Sequence, residues 1–182
     1  MIDQSMTLAS TDFALFDVPQ RFSQDRAVVD ARWKDLQREA HPDKFAAQGA
    51  AAQRLAMQWS VRINEAYQRL KDPLKRAAYL CELNAAPVNA ENNTAMPIEF
   101  LMQQMAWREA LEEADSAAEL KDLGAQVIAA RREALQRCGQ LLDEQQDYRQ
   151  AVQQVRALMF IERFARDVDA HLDRMDTADR GQ

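Results

Sequence analysis

Apolar residues recur along this chain at three- and four-residue intervals, the spacing that places side chains on one face of an α-helix. Phe13, Leu15 and Phe16 anchor a short helix predicted over about 11–18, with Thr11 as its N-terminal cap. Val29, Trp33, Leu36 and Ala40 trace the buried stripe of a second helix, predicted over 23–40, which opens at Ser23 and is stopped by Pro42. A third, over 51–71, carries Leu55, Trp59, Ile63, Ala66 and Leu70, and Asp72-Pro73 opens a fourth that runs through Leu80 and Cys81 to about 83. These four predict one small domain over 1–83. The small, polar stretch 84–96, interrupted by Pro87, is expected to be a linker. Pro97 then starts the first of three amphipathic helices over 97–176. The second carries Leu120, Leu123, Val127, Ala134, Cys138 and Leu141, and the third Leu158, Ile161, Ala165, Val168 and Leu172. Three such helices joined by short turns predict an antiparallel bundle, with 177–182 as a frayed tail. The fold class expected is all-α.

Composition sharpens this picture. Among 182 residues there are only 4 Gly and 5 Pro, too few for the turns of a strand-rich fold. The net charge of -6 is uneven: residues 1–83 hold 12 Lys and Arg against 11 Asp and Glu, whereas 84–182 hold 11 against 18. The two parts are therefore expected to meet different partners, and the acidic total argues against nucleic acid. Cys81 and Cys138 fall on apolar helical positions, without a CxxC, and only two histidines are present, so neither a disulfide nor a metal framework is expected. No apolar run approaches the ~20 residues of a membrane helix. The first twenty residues, with Asp3, Asp12 and Asp17 and no Lys or Arg, match neither a secretory nor a mitochondrial leader. A cytoplasmic protein without a cofactor, acting at neither nucleic acid nor membrane, is the expectation. Nucleophile motifs, Gly-rich phosphate loops and paired carboxylates are absent, which argues against an enzyme.

The sharpest local signal is His41-Pro42-Asp43, followed by Lys44 and Phe45, between the two longest helices of the first part. A stiff turn displaying an imidazole and a carboxylate suits contact with polar groups of another protein. These residues resemble the J-domain co-chaperones, and INEAYQRLKDPLKRAAYL (Ile63 to Leu80) is similar to the end of their third helix and the start of their fourth. The resemblance implies that His41, Pro42 and Asp43 engage a DnaK-type chaperone and stimulate its ATPase. Arg32, Lys34 and Arg38, opposite the Val29 stripe, are candidates for steering an acidic chaperone surface, although Asp30, Asp35 and Glu39 intervene and i,i+4 pairing on a solvated face accounts for the same pattern.

The helix after Pro97 carries more apolar surface than a bundle needs. Phe100, Trp107, Leu111 and Ala114 fall within about 60° of one another, while Ile98, Leu101, Met102 and Met105 lie on the far side and continue into Glu109, Glu112 and Glu113. Each large apolar side chain left in water forgoes about 1.5–3 kcal/mol. The second stripe is thus either covered by the first domain or open to a partner, and Phe160, off the centre of the last helix's stripe, can join it. The segments FLMQQMAWREALEE (Phe100 to Glu113) and RALMFIERF (Arg156 to Phe164), behind a J-domain, resemble the HscB family of iron-sulfur cluster co-chaperones. That resemblance implies a specialised, HscA-like chaperone and an IscU-like cluster scaffold as partners. It also implies client contacts at Leu101, Met102, Met105, Glu109, Glu113 and Phe160, with Ala106 standing where relatives often carry an acid. A different client for the same J-domain, or self-association through the bundle, are the competing readings.

Overall fold

The computed structural model describes residues 7–88 and 96–180, and every regular element among them is helical. The chain divides into two compact units, Met1–Leu80 and Cys81–Gln182.

In the first unit, α1 (Asp12–Phe16) is capped by Thr11, whose hydroxyl accepts the Ala14 N–H at 3.2 Å. The next helix, α2 (Arg26–Glu39), begins at an Asp25 cap rather than at Ser23. A 3₁₀ turn over Pro42–Gln48 follows, and Gly49, at φ 97°, leads into α3 (Ala50–Lys71); only glycine takes that angle without strain. Asp72 then accepts the Leu74 and Lys75 N–H groups at the start of α4 (Pro73–Leu83). Phe13, Phe16, Val29, Leu36, Ile63, Ala66, Leu70 and Ala77 form the core. Three aromatic or aliphatic stripe positions are not in it: Leu55 is exposed and Trp33 and Trp59 are only partly covered, while Ala56 is buried instead. Trp33 lies on the α2/α3 seam, stacked on Tyr67 at 4.7 Å with its indole N–H on Asn64.

A carboxylate sits inside this core. Asp12, fully buried, bridges Arg62 at 2.7 Å and Arg69 at 2.5 Å, and its backbone N–H donates to the Tyr79 hydroxyl. Arg69 is held more basic than usual by that hydrogen bond to Asp12. The arrangement ties α1 to two points in the second half of α3 and to α4, adding directional bonds to the stacking of Phe13 on Tyr79.

The second unit begins inside α4, where a Schellman cap ends the helix. Ala86 N–H reaches the Cys81 carbonyl and Ala85 N–H the Glu82 carbonyl, with Ala85 at φ 56°. The part of the expected linker that is described is not free, because Val88 is buried and its carbonyl accepts two bonds from the buried Arg156 guanidinium. The remainder, 89–95, lies outside the described residues. Then come α5 (Ile98–Glu113), α6 (Ala117–Gly139) and α7 (Tyr148–Arg180). A capping box of Ser116 and Glu119 opens α6, and the Asp115 and Ser116 N–H groups hold the Glu119 carboxyl below the usual range. After α6 a π turn over Gln140–Gln145 buries Leu141 and Leu142 and closes at Gln146, φ 53°. The chain stays helical through Arg180, where an unstructured end was expected from 177; residues 181–182 lie outside the described residues.

The bundle core joins Leu120, Leu123, Val127, Ala134 and Cys138 of α6 to Val155, Leu158, Ile161, Phe164 and Val168 of α7. Both thiols are buried, and that burial pushes Cys81 and Cys138 up to about 12, so they behave as small apolar side chains. Helix α5 is attached by aromatic rings: Phe100 meets Phe160 edge-on at 5.7 Å, Phe160 stacks on Phe164 at 5.8 Å, and Trp107 stacks on Phe164 at 5.5 Å.

Candidate functional site

Two surfaces, one on each unit, gather the residues singled out from the sequence. The first is the turn between α2 and α3. His41 leaves the end of α2 in an extended conformation and caps the 3₁₀ turn, its Nδ1 accepting the Asp43 N–H at 3.3 Å. Pro42 occupies the first position of that turn, where its fixed φ fits and its missing N–H costs nothing. Because Nδ1 is an acceptor here, the neutral ring carries its proton on Nε2, turned away from the backbone bond. The Asp43 carboxylate comes to 3.6 Å from Nδ1. Both side chains are open to solvent, at 58% for His41 and 87% for Asp43, and the 3₁₀ turn contributes no buried residue. The result is a small polar tip whose internal shape is set by its own backbone.

The three cations of α2 are not equivalent. Arg32 is partly buried, with Nε on the Phe16 carbonyl at 2.9 Å, so it secures the end of α1 as much as it faces outward. Arg38 pairs with Asp35 at 3.2 Å, and Lys34 is exposed beside Asp30, whose carboxyl it helps to hold low after the larger effect of the Arg26 hydrogen bond. The basic surface is therefore narrower than the sequence suggested, with exposed Lys34 and Arg38 as its outward members.

The second surface is α5. Phe100 and Trp107 turn inward, and Ile98, Met102 and Met105 are about 70% exposed, with Leu101 at 42%. Glu109 and Glu113 are exposed one and two turns further along, as is Ala106. Phe160 of α7 is half-buried: its ring is held by Phe100 and Phe164 and covered by the Arg108 guanidinium at 5.6 Å. Sequence reasoning missed Phe164 and Arg108 in this arrangement. The signal for Phe164 was its i+4 spacing from Phe160, which puts both rings on one side of α7. The described residues offer no group of His, Cys, Asp and Glu able to hold a metal ion, and no helix among them is long and apolar enough to cross a membrane.

The chain is similar to proteins of one family. The family described as the HSCB C-terminal oligomerisation domain matches residues 96–169. A co-chaperone protein HscB homolog from Burkholderia multivorans is 47% identical over 175 residues, covering 94% of this chain and 99% of the relative. Among solved structures, the chaperone HscB from Vibrio cholerae is 35% identical with a TM-score of 0.76, over 91% of this chain and 99% of that one. The human co-chaperone protein HscB is 26% identical with a TM-score of 0.81, over 93% and 83%.

Proposed function

This chain belongs to the HscB family of co-chaperones, and we propose that it stimulates ATP hydrolysis by an HscA-like, DnaK-type chaperone while delivering to it an IscU-like iron-sulfur cluster scaffold. His41, Pro42 and Asp43 make the chaperone contact, helped by Lys34 and Arg38 and, at the edge, by Arg32. Leu101, Met102, Met105, Glu109, Glu113 and Phe160 hold the scaffold. The observation that carries this reading is the α5 ridge: a helix already anchored by Phe100 and Trp107 keeps four further large apolar residues in water, followed by acids. Such a patch is costly unless a partner covers it, and methionines suit an adaptable contact. Holding client and chaperone at once raises the client's effective concentration, so affinity need not reside in either contact alone. No catalysis is assigned to this chain, whose role is to trigger the chaperone's own ATPase.

The test is calorimetric titration of the scaffold protein into the full chain and into a Leu101→Ala, Met105→Ala variant. Both positions are exposed, so helicity should be unchanged. Binding by the parent and at least tenfold weaker binding by the variant supports the reading; equal affinities remove the α5 ridge from it. Phe160 is left intact in this variant because its ring also supports α5.

A further inference from the structure

We propose that Gln37 is a positioning residue for the His41-Pro42-Asp43 tip: its side-chain amide locks the last turn of α2 to α3 and so fixes the direction in which His41 leaves the helix. The proposal rests on reading the tip as the chaperone contact.

Gln37 lies one helical turn before His41. Its Nε2 donates to Asn64 Oδ1 at 2.8 Å and to the Ser60 carbonyl at 3.2 Å, and its Oε1 accepts the Ser60 hydroxyl at 2.9 Å. Asn64 Oδ1 also accepts the indole N–H of Trp33 at 2.9 Å, one turn earlier on α2. Two successive turns of α2 are thus tied to a single side chain of α3, and the line of these bonds runs from the Trp33–Tyr67 stack toward the tip.

Apolar packing cannot supply the same constraint at this end of the hairpin. After Leu36 the only buried residue of α2's end is Ala40, and none of Pro42–Gln48 is buried. A methyl group fixes distance but resists rotation weakly, whereas hydrogen bonds are directional. The cap between His41 and Asp43 sets the internal shape of the tip but not its orientation against α3. A 20° rotation of α2 about its axis would carry the imidazole by about 2 Å, taking a side-chain reach beyond the helix cylinder, and misplacement of about 1 Å is enough to impair a geometry-dependent step strongly. Gln37 fixes this angle by directional bonds one turn before the tip.

The test uses the full chain and a DnaK-type chaperone in single-turnover ATP hydrolysis, titrated with co-chaperone. Gln37→Met keeps length and volume and removes all three bonds. It is expected to lower maximal stimulation at least fivefold while the half-saturating concentration moves less than twofold, with the Asp43 amide and His41 ring resonances shifted in NMR spectra. A second pair guards against simple destabilisation. Asn64→Asp retains the acceptor that both α2 donors use and should keep most of the stimulation, whereas Asn64→Ala, which removes that shared acceptor but leaves the two bonds between Gln37 and Ser60, should fall between Gln37→Met and the parent. Parent-like stimulation by Gln37→Met, or equal losses in Asn64→Asp and Asn64→Ala, overturns the proposal. If the parent chain itself stimulates nothing, the chaperone reading fails. The resonances then decide the positioning role on their own: shifted, they uphold it, and unmoved in Gln37→Met, they overturn it.

Discussion

The tip of the first unit and the α5 ridge of the second are built on opposite principles. The tip is three residues whose shape comes from a cap, a proline and a backbone turn, with no buried residue within it. The ridge is a row of exposed apolar side chains carried by a helix that two aromatic pairs, Phe100 with Phe160 and Trp107 with Phe164, hold to α7. One surface stores its information in angles and the other in area. Angle-dependent contacts fail all at once when a group is lost; area-dependent ones fail by increments, except at a residue that also supports the scaffold beneath. The difference is open to attack by substitution at several levels.

The largest effect is expected at the tip. His41→Gln should abolish ATPase stimulation with helicity, melting temperature and scaffold binding unchanged, because the imidazole faces solvent and its loss leaves no cavity. Paired ATPase and calorimetric measurements check this, and a variant that still stimulates fully would contradict the angular reading. Next in size is Asp12→Asn, a residue that belongs to neither surface. Removing this carboxylate leaves Arg62 and Arg69 without their buried partner, and Arg62 Nη1 already lacks a hydrogen bond. Leaving buried charge unpaired costs about 3–5 kcal/mol, here reduced by the partial exposure of Arg69. Urea unfolding should show the loss in the first unit, and the scaffold affinity of the second should stay the same. A shift below about 1 kcal/mol would mean that solvent already shares the ion pair.

Sequence patterning reached the helices, the Thr11 and Asp72 caps and the second apolar stripe of α5, but not what covers each side chain. Thr11 was legible as a cap because a hydroxyl before an apolar run has one obvious use. Trp33, Leu55 and Trp59 share the helical period with buried residues yet are not buried, since periodicity fixes a face and not the width of the neighbour lying on it. Asp12 reads as an ordinary acid in a helix's first turn; its burial depends on arginines 50 and 57 positions away. Arg32 was grouped with Lys34 and Arg38 by register, while the Phe16 carbonyl that engages it belongs to another helix. The π turn after Gly139 has no residue signature of its own, and Leu141 reads from the sequence as a continuation of α6.

Phe160→Ala tests the exception on the ridge. This residue is a scaffold contact in the proposed function and also a ring between Phe100 and Phe164. Truncating a half-buried aromatic with two ring partners should cost about 2 kcal/mol, less than a full core Phe. Scaffold binding and the stability of the second unit should therefore fall together, whereas Leu101→Ala should lower binding alone. Thermal melts run beside the titrations check the pairing; a Phe160 variant that loses only affinity would place its ring outside the support of α5.

The smallest effect should leave both surfaces untouched. Ala85 holds the left-handed position of the Schellman cap after α4, where its Cβ crowds the backbone. That conformation costs an alanine about 1–2 kcal/mol, and glycine relieves it while adding entropy to the unfolded chain, so the net gain from Ala85→Gly is about 1 kcal/mol or somewhat less. The residue is exposed, and the hydrogen bonds from Ala85 and Ala86 to the end of α4 persist in the variant because they are made by backbone. A raised urea midpoint with unchanged stimulation and unchanged scaffold affinity is the expected outcome. An unchanged midpoint would mean that the two capping bonds do not hold this segment in solution, and that the anchorage of Val88 by Arg156 keeps it in place instead.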